Sequence, residues 1–358
     1  MTGRDAAPLG AMDDRGHEHV GYYRDERSGL RCLVAVHDTR LGPAVGGTRM
    51  RAYENEGEAL EDALRLSEAM AYKTAAADLD LGGGKAVIVG DPAEKTDDLL
   101  HAYGRVVDSY GGSFVTGEDV NVDVEDLRTV GEVTDYVGGD EGGEGTRVTA
   151  RGVRHGIEAA LAETRGDGTD GSGDDSLAGT HVAVQGVGKV GRWLVEELVE
   201  AGAEVTVADV DGAAVERVER EYGVSSVTPE EVYDVGCDVF APCALGGVLN
   251  DETVPRLRCD AVCGSANNQL EARRHADALA DRGILYAPDY VANAGGLVAG
   301  VAEMEGGDTA DALARVAGVR DRLERTFETA REEGITPVAA ADRYAERRMA
   351  EGGEPLSP

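Results

Sequence analysis

The stretch 181–209, HVAVQGVGKVGRWLVEELVEAGAEVTVAD, constrains this chain more than any other. His181 to Gln185 reads as a short buried strand. Gly186-Val187-Gly188-Lys189-Val190-Gly191 follows, a helix runs from Arg192 to Ala201, and a second strand, Glu204 to Ala208, ends in Asp209. A lone G-x-G-x-x-G carries little weight. One that leaves a strand, opens a helix and meets an acid at the next strand end predicts a dinucleotide-binding βαβ unit. Gly186 permits the tight turn, Gly188 lets a pyrophosphate approach the helix N-terminus, and Gly191 allows close packing of helix on strand. Asp209 would accept hydrogen bonds from an adenosine ribose and repel a 2′-phosphate, which favours NAD over NADP.

The alternation of strand and helix continues beyond Asp209. Cys237 to Pro242, Ala261 to Gly264 and Ile284 to Ala287 read as strands, each followed by small residues: Cys243-Ala244-Leu245-Gly246-Gly247, Ser265-Ala266-Asn267-Asn268, and Pro288-Asp289-Tyr290 with Asn293-Ala294-Gly295-Gly296. Small residues at successive strand ends suit a dinucleotide lying across the sheet edge. A long helix, about Thr309 to Glu333, and a final one, Pro337 to Met349, complete the chain. On the N-terminal side, Thr149 is expected to open a helix from Arg151 to Glu163, the Gly-rich acidic run Gly138 to Gly145 to be a hinge, and Arg165 to Ser176 to be a surface insertion.

The first half has a different pattern. Residues 1 to 20 are polar and expected to fray. Leu30 to His37 reads as a buried strand and Leu41 to Arg51 as a second, interrupted by Gly46 and Gly47, which mark either a bulge or a place where a ligand touches backbone. Asn55 can cap a helix, with Glu58 in capping-box position. Leu60, Ala63, Leu64, Ser67, Met70 and Ala71 define its buried face. Lys73 lies near its C-terminal end, where a cation also suits the helix dipole. After a Gly82-Gly83-Gly84 turn, Lys85 leads into a buried strand, Ala86 to Val89. It is either a solvated strand-end lysine or a functional one whose pKa falls with burial. Asp97 to Val107 reads as a helix and Ser113 to Thr116 as a strand. Asp119 then sits at a strand end, as a site residue or as an ordinary turn-former.

At 358 residues the chain fits two domains. A formal charge of -34 excludes electrostatic attraction to nucleic acid or an anionic membrane. Such a surplus repels itself unless salt screens it, and at about 1 M salt the Debye length is roughly 3 Å. Only four of the 35 basic residues are lysines, and two of these, Lys73 and Lys85, flank the three glycines. Acid surplus, arginine over lysine and abundant glycine suggest a salt-rich cytoplasm. The N-terminus lacks a signal-peptide pattern, and the longest uncharged apolar run, Tyr290 to Ala302, is too short and polar to span a bilayer. Five cysteines, with Cys259 and Cys263 closest and no histidine beside them, read as reduced thiols rather than a metal site.

Taken together, Leu41 to Arg49 (LGPAVGGTR), Met70 to Lys73 (MAYK), Asp80 to Lys85 (DLGGGK), Thr116 to Asp119 (TGED), Gly186 to Gly191 and Asn293 to Gly296 (NAGG) resemble the amino-acid dehydrogenases of the glutamate, leucine, phenylalanine and valine type. The likeness runs from about Arg31 to Ala340. It implies an α/β protein: an N-terminal α/β substrate domain, 1–147, with 310–358 packing back on it, and a Rossmann-type NAD-binding domain, 148–309. The two would close over a cleft, in a homo-oligomer. By resemblance, Lys73 would hold the substrate α-carboxylate with help from backbone at Gly46 and Gly47. Lys85 would be the low-pKa base, Asp119 would relay protons, and Asn293 would help fix the substrate. Thr149 would contact the nicotinamide amide. The residues Gly186 to Gly191, Asp209, Cys243, Ala244, Ala266 and Asn267 would line the cofactor. Glutamate dehydrogenases carry a lysine immediately before the Gly-Gly pair; here that position is Val45. An apolar guest of the leucine or valine type is therefore expected, since a buried carboxylate without a partner is disfavoured. Phenylalanine or glutamate as substrate, and a non-catalytic NAD-binding sensor, are the alternatives.

Overall fold

The computed structural model describes residues 8–138, 144–166 and 177–353. It divides into two units, Met1–Glu141 with Tyr344–Pro358, and Gly142–Arg343. The expected hinge at 138–145 and the insertion at 165–176 lie largely outside the described residues.

The first unit contains α1 (Pro8–Arg15), β1 (His19–Asp25), β2 (Leu30–Asp38), β3 (Ala44–Arg51), α2 (Glu56–Ala76), β4 (Gly82–Val89), α3 (Asp97–Asp108), β5 (Phe114–Gly117) and α4 (Val124–Gly131). Its sheet runs β1-β2-β4-β3-β5, with β3, β4 and β5 parallel and β1 and β2 antiparallel to their neighbours. Alternation along the strands sends Leu33, Ala35 and Val87 towards Leu60, Ala63 and Leu64 of α2. Val34, Val36, Ala86 and Ile88 pack with Leu99, Tyr103 and Val107 of α3 on the other face. Asn55 caps α2 by accepting from the Glu58 N–H at 3.0 Å.

Two glycine runs differ from expectation, for one reason. Gly82 to Gly84 form no turn but begin β4, and Gly46 and Gly47 make no bulge, because β3 and β4 keep one register from Ala44↔Gly82 to Arg51↔Val89. A Cβ on Gly46 would lie 1.7 Å from the Gly84 carbonyl oxygen, and one on Gly83 would lie 2.1 Å from the Ala71 nitrogen of α2. Glycine here is the condition for backbones to approach.

The polar N-terminal run also takes part in the fold, with α1 at Pro8–Arg15, and His17 is buried. Its Nε2 donates to Ser67 Oγ at 2.8 Å, and its ring meets His37 edge-on, with centroids 4.6 Å apart. Burial, reinforced by His37, pushes the His17 imidazole down from 6.5 to about 4. The unfolded chain therefore binds a proton that the fold refuses between these values, so stability present above about pH 6.5 is lost as pH falls through about 4. This group alone accounts for up to about 3 kcal/mol. Thermal melts from pH 7 to 4 are expected to flatten in His17→Gln; an equally steep acid decline would remove His17 as the cause.

The second unit holds α5 (Gly145–Arg165), β6 (His181–Gln185), α6 (Lys189–Glu200), β7 (Glu204–Ala208), α7 (Gly212–Tyr222), β8 (Ser225–Ser226), β9 (Val239–Pro242), β10 (Ala261–Val262), α8 (Arg274–Ala280), β11 (Leu285–Tyr286), α9 (Asp289–Ala292), α10 (Gly295–Met304), α11 (Thr309–Val316) and α12 (Gly318–Glu333), and α13 (Pro337–Ala350) begins in it and belongs to the first unit from Tyr344. Its parallel sheet runs β11-β10-β9-β6-β7-β8. The order reverses between β6 and β9, the switch point at which doubly wound sheets bind ligands. Thr149 does not open a helix but lies in the second turn of α5, and the long C-terminal helix is two, α11 and α12.

The expected boundary at 147/148 falls at 141/142, and of 310–358 only the part from Tyr344 groups with the first unit. Helices α11 and α12 pack on α5 instead. Gly152 and Gly156 let them close in, since a Cβ there would meet Val316 at 2.9 Å and Leu323 at 3.0 Å.

Candidate active site

In the first unit, Lys85 lies inside β4 rather than at its end, 5% exposed, on the face turned to α2. Its sheet neighbours are small: Ala35 on β2 and, from the β3 register, Gly47. The Lys85 Nζ is 2.9 Å from Asp119 Oδ2. Asp119 follows β5 in a turn closed by reciprocal backbone hydrogen bonds with Val122 at 3.1 and 3.2 Å. That turn is tied to β3, because the Met50 N–H donates to Val120 O and Asn121 Nδ2 donates to Met50 O, both at 3.0 Å. Beneath it, on the α3 face, the hydroxyls of Thr48, Tyr103 and Thr116 close a buried ring at 2.5 to 2.8 Å. The turn that carries Asp119 is therefore tied to β3.

Burial is the largest influence on Lys85 and lowers its pKa; Arg49 pushes the same way, while Asp119 and Asp62 pull back without prevailing. For Asp119 burial acts to raise the pKa, but the Lys85 ammonium and Arg49 guanidinium outweigh it and hold the carboxyl below its ordinary range. Burial thus makes Lys85 a readier base than a free lysine while its neighbours keep Asp119 ionised, a combination suited to acid–base catalysis.

Val45 is buried on β3, opposite Gly83 and Val115. With Gly47 and Arg49 it shares the α2-facing side. Lys73 lies in the last turn of α2, partly exposed, and Gly46 and Gly47 lie in β3 against the carbonyls of Gly84 and Glu118. Arg49 was not among the expected residues, yet its Nε donates to Asp119 Oδ2 at 2.8 Å and its Nη1 to Asp62 Oδ2 at 3.0 Å. Only strand register, which no local pattern carries, could have pointed to it.

In the second unit the glycine-rich turn is built as the motif predicts. Gly186 has φ +95°, and a Cβ on Gly191 would lie 1.9 Å from Gly186 O. Gly188 precedes α6 without a side-chain cap, so the first N–H groups of α6, at Lys189 and Val190, present an uncapped N-terminus to an anion. Asp209 departs from its expected role in part: its Oδ2 accepts from the Val187 N–H at 2.7 Å and its Oδ1 from the Asp211 N–H at 2.9 Å, so the carboxylate braces the turn. Across the switch point the Cys243 N–H donates to Gln185 O at 2.7 Å, and Ala244 fills the space beside Gly186. The Asn293 amide donates to Asn267 Oδ1 at 2.9 Å and to Ser265 and Ala266 carbonyls, which holds the loop after β10. Thr149 Oγ1 donates to Gly145 O at 2.7 Å and lies 3.4 Å from where Gly296 would carry a Cβ. These residues fit a dinucleotide: the turn is open where phosphates need backbone, and small side chains line the neighbouring strand ends.

Among the described residues, possible ligand atoms of Asp251, Glu271 and His275 lie within 4.8 Å of one another. His275 Nδ1 accepts the Ala272 N–H at 3.1 Å, which leaves the proton on Nε2, 2.9 Å from Asp251. The contact is a hydrogen bond from the ring to a carboxylate that Arg274 also meets, at 2.6 Å. All five cysteines are free, and no described helix is long and apolar enough to cross a membrane.

Comparison with known proteins places these features in context. Residues 18–139 match the family model described as Glu/Leu/Phe/Val dehydrogenase, dimerisation domain, and residues 211–351 match that of Glutamate/Leucine/Phenylalanine/Valine dehydrogenase. Leucine dehydrogenase of Bacillus subtilis is 44% identical over 344 residues, which span 94% of this chain and 93% of the relative. Valine dehydrogenase of Streptomyces albus is 47% identical over 363 residues, 98% of each. The crystal structure of L-tryptophan dehydrogenase from Nostoc punctiforme superposes with a TM-score of 0.87 at 45% identity, covering 96% of this chain and 98% of that one.

Proposed function

Because this chain belongs to the glutamate, leucine, phenylalanine and valine dehydrogenase family, and so is an amino-acid oxidoreductase that uses a nicotinamide nucleotide, we propose that its substrates are leucine, valine and isoleucine and its cofactor is NAD. The products are the 2-oxo acid and ammonia. The observation that carries this is the buried Lys85 Nζ 2.9 Å from Asp119 Oδ2, on a sheet face shared with Val45.

Bound at Gly186 to Gly191, the nicotinamide nucleotide supplies a hydride acceptor for the substrate Cα. The remaining work falls to this chain. Lys73 holds the α-carboxylate, with backbone at Gly46 and Gly47. Asp119 takes a proton from the substrate ammonium and returns one to the departing ammonia. Neutral Lys85 draws a proton from the water that attacks the iminium carbon; once Asp119 has protonated the amine, the C–N bond breaks, ammonia leaves, and the Asp119 carboxylate takes the hydroxyl proton as the 2-oxo group forms. Asn293 serves by holding Ala266 and Asn267, and Thr149 is the amide contact. Val45 places an apolar wall where a side-chain carboxylate would need a cation.

Asp209, through its charge, excludes a 2′-phosphate and favours NAD. The acid surface suits molar salt in a cytoplasm, and the family's dimerisation domain supports a homo-oligomer.

Initial rates of NADH formation in molar KCl test the substrate claim. The best aliphatic substrate is expected to exceed glutamate in kcat/KM by at least about a hundredfold, the cost of an unpaired buried carboxylate, and NADP is expected to replace NAD poorly. A preference for glutamate would refute the role given to Val45.

A further inference from the structure

Asp119 uses its two oxygens unequally. Oδ2 takes both the Lys85 Nζ at 2.9 Å and the Arg49 Nε at 2.8 Å, whereas no hydrogen bond from the described residues reaches Oδ1. Arg49 is itself held. Its Nη1 donates to Asp62 Oδ2 at 3.0 Å, and Asp62 in turn accepts from the Tyr53 hydroxyl at 2.8 Å and, through Oδ1, from Arg65 Nη2 at 2.8 Å. Charges of alternating sign therefore run from β4 through β5 and β3 to α2, the helix that carries Lys73. The Arg49 and Asp62 side chains are only 18% and 13% exposed, so solvent screens this chain weakly.

We propose that Arg49, tethered by Asp62, is a positioning residue for the reaction: it clamps Asp119 Oδ2 and so turns Oδ1 to the substrate amine. Two consequences follow from the geometry. The planar guanidinium engages Asp119 through Nε and Asp62 through Nη1 at once, a fork that a lysine cannot copy. Its permanent charge also favours neutral Lys85, while Asp62 favours the ammonium; with Asp119, these are the charged groups with the largest bearing on Lys85. The inference rests on the dehydrogenase function proposed above.

The pH dependence of kcat/KM for leucine oxidation tests it, because the acid limb reports the proton that Lys85 must lose. Arg49→Gln removes a cation, so the limb is expected to move to higher pH by about one unit. Asp62→Asn removes an anion, and the limb is expected to move to lower pH. Arg49→Lys keeps the charge but loses the fork, so the limb should stay near its wild-type position while kcat falls about tenfold. A merely structural role cannot move the limb in opposite directions. If Arg49→Gln does not fold, the Asp62→Asn shift decides. Limbs unmoved in folded Arg49→Gln or in Asp62→Asn, or full turnover in folded Arg49→Gln, would overturn the proposal with wild type active. Wild type inactive on every amino acid would instead overturn the dehydrogenase function.

Discussion

Replacing Lys85 by methionine is expected to lower kcat for leucine oxidation by at least about a thousandfold, the span of a lost general base, while the protein still folds and binds NADH. The side chain is buried between Ala35 and Gly47, so methionine of similar volume fills its place. The desolvation cost of the ammonium disappears with it. Asp119 keeps its bond to Arg49 and is not stranded. The melting temperature should therefore stay at or above that of wild type, as often happens when a buried charge is replaced by an apolar group of similar size. Loss of turnover without loss of stability separates a chemical role from a structural one. Stopped-flow rates with thermal melts measure both.

Gly191→Ala has the second largest expected effect, in the other unit. Its Cβ would sit 1.9 Å from Gly186 O and 3.4 Å from the Cys243 Cβ, and the first contact is with backbone that cannot swing aside. The start of α6 must move off β6, which spoils the turn meant for the pyrophosphate. Overpacking of this kind costs about 1–3 kcal/mol, or a fall of roughly 3–10 °C in Tm for a domain of this size. NADH affinity should drop by at least about a hundredfold, since the N–H groups of the turn would no longer converge on phosphate. Fluorescence titration with NADH measures this; unchanged affinity would show that the turn is not the phosphate site.

Local patterns carried some parts of this protein and missed others. The unit from His181 to Asp209 was legible because strand, glycine turn, helix and acid are consecutive, and each residue type has its own steric or polar reason. Lys73, Lys85 and Asp119 stood out by residue type and family likeness. What pairs with them did not. Arg49 meets Asp119 across 70 positions of sequence, through a β3–β5 pairing that no local pattern carries. The glycines at 46–47 and 82–84 look like breakers locally, yet they lie in unbroken strands because Gly84 O and Ala71 leave no room for a Cβ. His17 sits in a polar N-terminal run, and only its contacts with Ser67 and His37 bury it. Asp209 was found at the right strand end, but its carboxylate is engaged by the turn it follows. In each case tertiary approach overrode a local signal.

The central claim is that Lys85 is neutral enough near working pH to act as a base, and the shortage of lysine makes this directly measurable. With four lysines in the chain, selective labelling of the lysine ε-carbon gives four resonances, each assigned by a lysine-to-arginine variant. Titration by NMR in molar KCl should show the Lys85 signal changing below the value of about 10.4 typical of a free lysine. A Lys85 resonance that changes at or above that free-lysine value would contradict the account.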